Sequence, residues 1–287
     1  MARTLEPYQL VERSIITKYR KVLWNPFIEA VKRYEMIQPG DRIAVCISGG
    51  KDSMLLAKLM QQLQKHSDFP FELVFLVMDP GYNELNRRKI ESNAALLNIP
   101  VTLFESDIFE VADSAGKSPC YLCARMRRGY LYSRAQELGC NKIALGHHFN
   151  DVVETTLISM FYGSQLQAML PKLHSTNFKG MTLIRPLYCV HEDDIIAWAR
   201  DNDLEFIQCA CRLTERSAAD TGDVNVSKRK EIKLLLRRLR QDNPNIEKSI
   251  FNSIHAVALD TMPGFKTGGV EHSFLERFNA MESPEDE

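Results

Sequence analysis

Short apolar runs alternate with segments of helical period through most of the chain. Residues 43–47, 71–78, 101–104, 142–145 and 183–184 are the apolar runs, which we predict as strands. Residues 53–63, 83–97, 121–138, 152–161 and 192–200 have the period of helices. Alternating strands and helices are typical of a parallel sheet with helices on both faces. We therefore predict an α/β fold with a doubly wound, Rossmann-like parallel sheet.

The two ends of the chain differ from this pattern and suggest helical additions. Residues 1–35 are predicted as an N-terminal helical segment and residues 36–210 as one catalytic sheet domain. Residues 211–287 are predicted as a C-terminal extension, with helices at 227–240 and 246–258. From residue 262 onward the chain is expected to be loop and frayed end.

Composition narrows the class of protein. The formal net charge is -1, so any affinity for nucleic acid must come from local basic clusters. No apolar run approaches the roughly 18 to 20 residues of a membrane span. The N-terminus lacks the apolar core of a secretory signal. We therefore expect a cytoplasmic protein without a membrane span. In a reducing compartment its seven cysteines would be core residues plus a metal or redox site.

A glycine turn links the first predicted strand to the following helix. It consists of Ser48, Gly49, Gly50, Lys51, Asp52 and Ser53. Two glycines let the backbone approach an anion closely, while exposed amides and serine hydroxyls donate to phosphate oxygens. The spacing is not that of the Walker loop, which needs a glycine four residues before Gly-Lys-Ser/Thr. The alternative is a turn with a purely structural role, which only connects the strand to the helix.

Two further strand ends carry polar or turn residues. Met78 ends the second predicted strand, and Gly146, His147 and Asp151 follow the fourth. Parallel strands end at one edge of the sheet, where ligands of open α/β sheets bind. We therefore expect these residues at the same crevice as the glycine turn, with ordinary loop histidines as the alternative.

Four cysteines form a candidate metal site. Cys120 and Cys123 open a predicted helix, where the helix N-terminus lowers thiol pKa values and favours metal or redox chemistry. Cys209 and Cys211 follow the last α/β unit. Four thiolates suit zinc, whereas three would leave one iron of a 4Fe-4S cluster without a protein ligand, and spacing does not separate these readings. Cys46, Cys140 and Cys189 are expected in the core.

The glycine turn closely resembles the S-G-G-x-D-S signature of PP-loop ATP pyrophosphatases, also described as adenine nucleotide alpha hydrolase-like. From residues 34 to 260 the chain resembles the tRNA 2-thiocytidine synthetase family. The resemblance is carried by residues 48–53, by Pro119 to Cys123 with the following Arg-x-Arg-Arg-Gly129, by residues 138–148, by Arg185-Pro186-Leu187 and by residues 244–254. Together these segments are far more specific than any one of them.

The resemblance implies a reaction and its cofactors. ATP is split between its α and β phosphates, and the C2 oxygen of a tRNA cytidine, expected at position 32, is adenylated and replaced by sulfur. It implies that the 48–53 turn, Met78, Gly146, His147 and Asp151 bind ATP. Asp52 would hold Mg²⁺, with helix capping as the alternative, and Lys51 would offset charge on pyrophosphate. It also implies a 4Fe-4S cluster on Cys120, Cys123 and Cys209, a sulfur donor and a homodimer.

Two departures from the family pattern are visible. A second C-x-x-C motif is replaced by Cys209-Ala210-Cys211, so Cys211 is an alternative third ligand. The usual G-H-H-x-D-D becomes G-H-H-F-N-D, so Asn150 stands in place of an acid and Asp151 alone keeps the carboxylate.

Basic residues on two predicted helices form a candidate RNA surface. They are Arg125, Arg127, Arg128, Lys228, Arg229, Lys230, Lys233, Arg237, Arg238 and Arg240. Glu231 is the single acid in residues 227–240, which favours RNA contact over an ordinary solvated face. Competing functions are 2-thiouridine formation, attack of an amine on the adenylate as in lysidine formation, and a regulatory zinc or iron-sulfur protein that binds nucleotide.

Overall fold

The computed structural model describes residues 5–106, 108, 119–207 and 228–281, with residues 119–125 and 281 described by their backbone alone. Contacts divide the chain into two compact units, Met1–Lys233 and Leu234–Glu287, and the division falls inside a helix. The expected domain boundaries after residues 35 and 210 stay predictions.

Strands and helices alternate through the first unit as predicted. The strands are β1 Arg42–Ile47, β2 Glu72–Asp79, β3 Val101–Glu105, β4 Lys142–Ala144, β5 Lys172–His174 and β6 Thr182–Ile184. The helices are α1 Pro7–Ile16, a π-helix at Arg20–Trp24, α2 Asn25–Arg33, α3 Lys51–His66, α4 Glu84–Leu96, α5 Pro119–Glu137, α6 Phe149–Gly163 and α7 Glu192–Asp201. Helix α8, Lys228–Asp242, spans the boundary between the units.

Within the described residues the strands form one sheet in the order β3-β2-β1-β4-β6-β5. All neighbours pair in parallel except β5, which is antiparallel to β6. The strand order reverses between β1 and β4, and such a switch point opens a crevice at the carboxyl edge. The predicted α/β class is therefore confirmed, while β5 was not predicted because Leu173 is the single apolar residue among its three.

Both faces of the sheet are covered. Ala44 and Cys46 of β1 pack against Tyr132 and Ala135 of α5 in one buried cluster. Ile43, Val45 and Ile47, at the alternate positions of β1, are also buried. They lie on the opposite face because successive side chains of a strand point to opposite sides. Apolar residues at successive positions of β1 are thus explained by burial on two sides.

The predicted N-terminal helical segment is confirmed over the described residues as α1, the π-helix and α2. Ile15, Leu23 and Phe27 are fully buried, one from each of these elements. Lys58 of α3 is also fully buried, and its ammonium lies 2.8 Å from Oε1 of Glu12 in α1. This ion pair ties the N-terminal helices to the helix that follows the glycine turn.

The second unit corrects two expectations. Helix α9 covers Ile246–Ser253 and ends before residue 258. The segment expected to be loop contains strands β7 Gly264–Thr267 and β8 Val270–Ser273, which pair in antiparallel, followed by helix α10 Phe274–Met281. Gly268 and Gly269 join the strands with φ of 57° and 81°, a conformation that favours a two-residue hairpin turn.

Candidate active site

A cavity of about 300 Å³ lies at the carboxyl edge of the sheet. Its lining contains Ser48, Asp52 and Ser53 from the glycine turn, Met78, Gly146, His147 and Asp151 from two other strand ends, and Arg127 from α5. The structure therefore brings the three expected segments together and adds Arg127, which was predicted only as an RNA contact. Gly50 and Lys51 line a neighbouring cavity of about 570 Å³ on the other side of Asp52.

The glycine turn is shaped to bind an anion. The N–H of Ser48 donates to Oγ of Ser53 over 3.1 Å, and this hydroxyl donates to the carbonyl of Gly50 over 2.9 Å. Helix α3 begins at Lys51, so the amides of its first turn lack intrahelical acceptors. Gly49 has φ +84°, and a Cβ there would lie 2.5 Å from Cγ1 of Ile90, so only glycine fits.

The end of β2 forms a tight turn stabilised by Asp79. Its buried carboxylate accepts hydrogen bonds from the N–H groups of Gly81 over 2.9 Å and Tyr82 over 2.7 Å. The turn places Tyr82 beside Met78 in the lining of the cavity. Tyr82 was not selected from the sequence because no motif marks it.

Lys51 is held by two carboxylates. Its ammonium lies 3.1 Å from Oδ1 of Asp52 and 3.0 Å from Oε1 of Glu192. Burial lowers the pKa of Lys51, but these two carboxylates outweigh it and hold the pKa above its ordinary value. Lys51 is therefore charged and positioned before any phosphate binds.

Glu192, the first residue of α7, was missed by the sequence analysis. Its other oxygen, Oε2, accepts a hydrogen bond from Lys233 over 3.0 Å, so it bridges two lysines. Burial raises the pKa of Glu192, but Lys51 and Lys233 outweigh burial and lower the pKa to about 2. The available signal was its position as an acid in the first turn of a helix that follows a strand end.

The two histidines have different environments. His148 caps α6, since its Nδ1 accepts the N–H of Asp151 over 3.3 Å while Oδ2 of Asp151 accepts the N–H of His148 over 3.1 Å. Nδ1 therefore acts as a hydrogen-bond acceptor in this arrangement, and Nε2 lies 3.9 Å from Oδ1 of Asp52.

His147 has no such arrangement. Its Nδ1 is buried and lacks a hydrogen-bond partner in the described part of the chain. Burial lowers the pKa of His147 to about 4, assisted by the guanidinium of Arg185. His147 is thus neutral at pH 7 and presents a polar atom that a ligand could satisfy.

Asn150, the residue that departs from the family pattern, connects two elements of the site. Its Oδ1 accepts the N–H of Glu192 over 2.9 Å. The first turn of α6 is thereby joined to the start of α7. Gly146 allows a further close approach, because a Cβ there would lie 3.1 Å from the N atom of Ser53.

Two residues of the predicted RNA surface also form ion pairs with acids of the site. Arg229 lies 2.8 Å from Oδ1 of Asp151, and Lys233 lies 3.6 Å from Oε1 of Glu154. Glu154 is buried, which raises its pKa to about 7 even though Lys233 and Arg229 oppose the shift. The start of α8 therefore neutralises acids beside the cavity.

The remaining basic residues are more exposed. Arg128, Lys228, Lys230, Arg237 and Arg238 have exposed side chains. Lys228 lies over the ring of Tyr162 at 4.7 Å from its centre, and Arg240 pairs with Glu247 at 2.6 Å. The side chain of Arg125 lies outside the described residues.

The predicted cluster ligands are described only in part. Cys120 and Cys123 lie in the first turn of α5 as predicted, and their side chains, together with Cys209 and Cys211, lie outside the described residues. Cys46 and Cys140 are buried core residues, as predicted, and Cys189 is half-buried. In the described ranges no group of three His, Cys, Asp or Glu side chains is arranged to hold a metal ion.

No helix in the described part of the chain is long and apolar enough to cross a membrane.

Comparison with known proteins shows the family. A family model described as a PP-loop domain matches residues 17–214. The tRNA-cytidine(32) 2-sulfurtransferase of Geobacter sulfurreducens is 36% identical over 240 residues, covering 83% of this chain and 90% of the relative. The enzyme of the same name from Syntrophotalea carbinolica is 36% identical over 248 residues, covering 85% and 91%.

A solved structure shares the fold. It is the U34-tRNA thiolase NcsA from Methanococcus maripaludis with its [4Fe-4S] cluster, with a TM-score of 0.63, 18% identity, and coverage of 84% of this chain and 80% of that one. With its sequence relatives, its PP-loop match and its glycine turn at the switch point of the sheet, the chain belongs to the tRNA-cytidine(32) 2-sulfurtransferase family of PP-loop proteins.

Proposed function

We propose that this chain is an ATP-dependent, iron-sulfur-dependent tRNA thiolase that adenylates the C2 oxygen of cytidine 32 and replaces it with sulfur, releasing AMP and pyrophosphate. The observation that carries this proposal is the position of α5. This helix begins with Cys120 and Cys123, and one turn later its Arg127 lines the same cavity as the glycine turn. The proposed cluster ligands and a residue that lines the proposed nucleotide cavity thus lie within one short stretch of helix.

ATP binding is assigned to the glycine turn and the neighbouring strand ends. The α3 amides and the hydroxyls of Ser48 and Ser53 would donate to phosphate oxygens. Lys51 would exchange a carboxylate partner for the leaving pyrophosphate and offset its charge. Met78 and Tyr82 offer apolar and aromatic surface to the adenine ring, and neutral His147 offers a hydrogen-bonding group.

The residues present fit a magnesium ion at Asp52. Oδ1 of Asp52 is buried and accepts no hydrogen bond in the described part of the chain, although Lys51 lies 3.1 Å away. A carboxylate oxygen at a phosphate cavity is the ligand that Mg²⁺ prefers. Bound there, Mg²⁺ would reduce the charge repulsion between phosphates.

Cluster binding is assigned to Cys120 and Cys123, with Cys209 or Cys211 as the third ligand. The fit rests on the backbone of α5, whose first turn holds the two cysteines three residues apart near a helix N-terminus, a setting that stabilises thiolates. A 4Fe-4S cluster with three protein ligands would supply an iron position at which sulfur is held for transfer.

Replacement of oxygen needs activation and exclusion of water. The C2 oxygen of cytosine is a poor leaving group, whereas AMP carrying that oxygen leaves readily. The apolar side chains of Leu131 and Leu145 line the cavity. They would limit the access of water and so the hydrolysis of the activated base. The partners implied are tRNA and a sulfur donor, a cysteine desulfurase or free sulfide. We also propose a cytoplasmic location, where tRNA is modified, and a homodimer as the active form.

The test is anaerobic reconstitution. The purified chain, ATP, Mg²⁺, sulfide and unmodified tRNA are incubated, and nucleosides are analysed for 2-thiocytidine and its position. Wild type should form it with release of AMP and pyrophosphate. Asp52→Ala should abolish pyrophosphate release, and Cys120→Ala should lose the cluster absorbance and thiolation.

The matched control is Cys189→Ala, which removes a thiol outside the predicted ligand set and should retain the cluster. Incorporation of an amine instead of sulfur, or a stable zinc content without acid-labile sulfide, would contradict the proposal. Thiolation confined to uridine would move the substrate to another base.

A further inference from the structure

A buried arginine next to the active site forms no ion pair with the described residues, and Asp151 acts on it only at longer range. Arg185 follows β6 and is 8% exposed. One of its terminal nitrogens donates to the carbonyl of Leu170, but its Nε has no hydrogen-bond partner in the described residues. Among these described residues, no carboxylate lies within ion-pairing distance of the guanidinium of Arg185. Burying a cation in this way is unfavourable unless an anion compensates it.

A second basic residue increases the need for an anion. Burial, together with the nearby charge of Arg128, lowers the pKa of Arg185 to about 10. Two guanidinium groups repel each other unless a negative group lies between or beside them. An arginine at this position therefore has a role that a neutral side chain would not provide.

The cavity at these arginines has the chemistry of a phosphate site. It has a volume of about 510 Å³ and lies between α5 and the β5–β6 hairpin. Ser175, Thr176 and Asn177 add hydroxyl and amide groups, and none of the described residues that line it is acidic. Tyr132 and Phe178 form one wall, with stacked rings 5.0 Å apart. Arginine and hydroxyl donors on an aromatic surface match an RNA backbone.

Its position fits a substrate that must reach the ATP cavity. Arg127 lines the ATP cavity and the next residue, Arg128, lines this one. Arg185 also lies close enough to His147 to lower its pKa electrostatically. A nucleotide whose phosphate binds here would have its neighbouring base near the adenylation site.

We propose that this cavity is a phosphodiester subsite for the RNA substrate, in which Arg185 and Arg128 bind one backbone phosphate and position the base to be modified. The proposal rests on the proposed function for its substrate and extends it to a defined site. Arg185 is a positioning residue here, since it holds the RNA backbone rather than the reacting oxygen.

The test compares Arg185→Gln and Arg128→Gln with wild type by fluorescence anisotropy of labelled tRNA at several salt concentrations. Loss of one phosphate contact should reduce the slope of log K against log salt by about 0.7 to 0.9. The tRNA KM should rise about tenfold, by loss of one charge-assisted contact, while the ATP KM stays within about twofold. Arg185→Lys should restore the slope but only part of the KM, since lysine lacks the planar fork.

The matched control is Arg88→Gln, which removes an exposed arginine on α4 that pairs with Glu84. It should leave slope and KM unchanged. Because Arg185→Gln could destabilise the fold, its melting temperature is measured, and the exposed Arg128→Gln gives the same test without that risk. Wild-type slopes in both variants would overturn the proposal, as would a rise in the ATP KM or the pyrophosphate inhibition constant alone. Failure of wild type to thiolate tRNA would instead count against the proposed function, because the binding slopes need no turnover.

Discussion

The ammonium of Lys51 lies 3.0 Å from a carboxylate oxygen of Glu192, a residue 141 positions away in the sequence. The lysine of the glycine turn is therefore held in place by an acid from a different helix. The same carboxylate also pairs with Lys233, so one acid contacts two lysines at the proposed phosphate site.

Removing this carboxylate should strengthen nucleotide binding. In Glu192→Gln a triphosphate bound at Lys51 would no longer face this negative charge, and we expect a gain of about 1 kcal/mol in a partly screened medium, or about fivefold in Kd. We expect the ATP Kd, measured by calorimetry without Mg²⁺, to fall by that factor. Glu205→Gln removes an exposed acid paired with Lys89 and is the control. An unchanged or weaker ATP affinity in Glu192→Gln would contradict the predicted repulsion between Glu192 and the triphosphate.

Glu154 predicts a pH dependence of stability. Its pKa is about 7 in the folded chain, above the ordinary value of 4.5, so the folded state binds more protons between these values. Wild type should therefore lose stability as pH rises from about 5 to 8, and Glu154→Gln should not lose this part. At pH 8 the variant should be more stable by about 1 kcal/mol, allowing for solvent screening and for the ion pairs it gives up.

The measurement is chemical denaturation at pH 5, 6.5 and 8. Glu137→Gln, at an exposed acid of α5, serves as the control and should follow the wild-type profile. A Glu154→Gln profile parallel to that of wild type would show that the carboxyl group titrates normally.

Two glycines with nearly the same positive φ allow the effect of conformational strain to be distinguished from that of a steric contact. Gly40 has φ +81°, and a Cβ added there would meet no atom within 4 Å, whereas a Cβ on Gly49 at φ +84° would contact Ile90 at 2.5 Å. Gly40→Ala should cost about 1 kcal/mol in free energy of unfolding from strain alone. Gly49→Ala should cost more and raise the ATP Kd at least about tenfold, because the contact with Ile90 displaces the turn that binds phosphate.

The double variant Gly49→Ala with Ile90→Ala isolates the contribution of Ile90, because it removes that contact but keeps the strain and the contact with Cδ1 of Ile207 at 2.7 Å. Partial recovery of ATP binding is expected. Equal effects of the two single glycine substitutions on ATP binding would show that the close packing at Gly49 is unimportant.

Asn150 should act as a hydrogen-bond acceptor rather than through its lack of charge. Aspartate at this position can accept the N–H of Glu192 as well, so Asn150→Asp should keep pyrophosphate release within about threefold of wild type. Asn150→Leu lacks an acceptor and should lower the rate at least about tenfold, since a lost hydrogen bond of about 1 to 2 kcal/mol also misplaces the start of α7. Equal loss in both variants would indicate that the amide itself is required.

The sheet and the glycine turn could be predicted because each has a local signal. Apolar runs mark β1 and β2, and the two glycines before Lys51 mark the turn. Glu192 and Tyr82 could not be predicted, because their roles arise only when distant segments meet at the carboxyl edge. The ion pair of Arg229 with Asp151 could not be predicted either, because it depends on how the helices pack, and the role of Arg229 as an RNA contact stays a prediction.

The C-terminal hairpin shows a different limit. Strands β7 and β8 have four residues each and little alternation of apolar and polar side chains. Their pairing depends on a tight turn at Gly268 and Gly269, which in sequence resembles any glycine-rich loop. Neither the hydrophobic pattern nor the turn residues therefore predicted this hairpin.

Helix α5 has a consequence for how this chain can vary. It carries Cys120 and Cys123 in its first turn, Arg127 at the ATP cavity and Arg128 at the second cavity. Each residue advances a helix by about 1.5 Å and turns it by about 100°. An inserted or deleted residue between Cys123 and Arg127 would therefore rotate the cysteines away from their register with both cavities. A substitution in this interval leaves that register intact, whereas a change in its length does not.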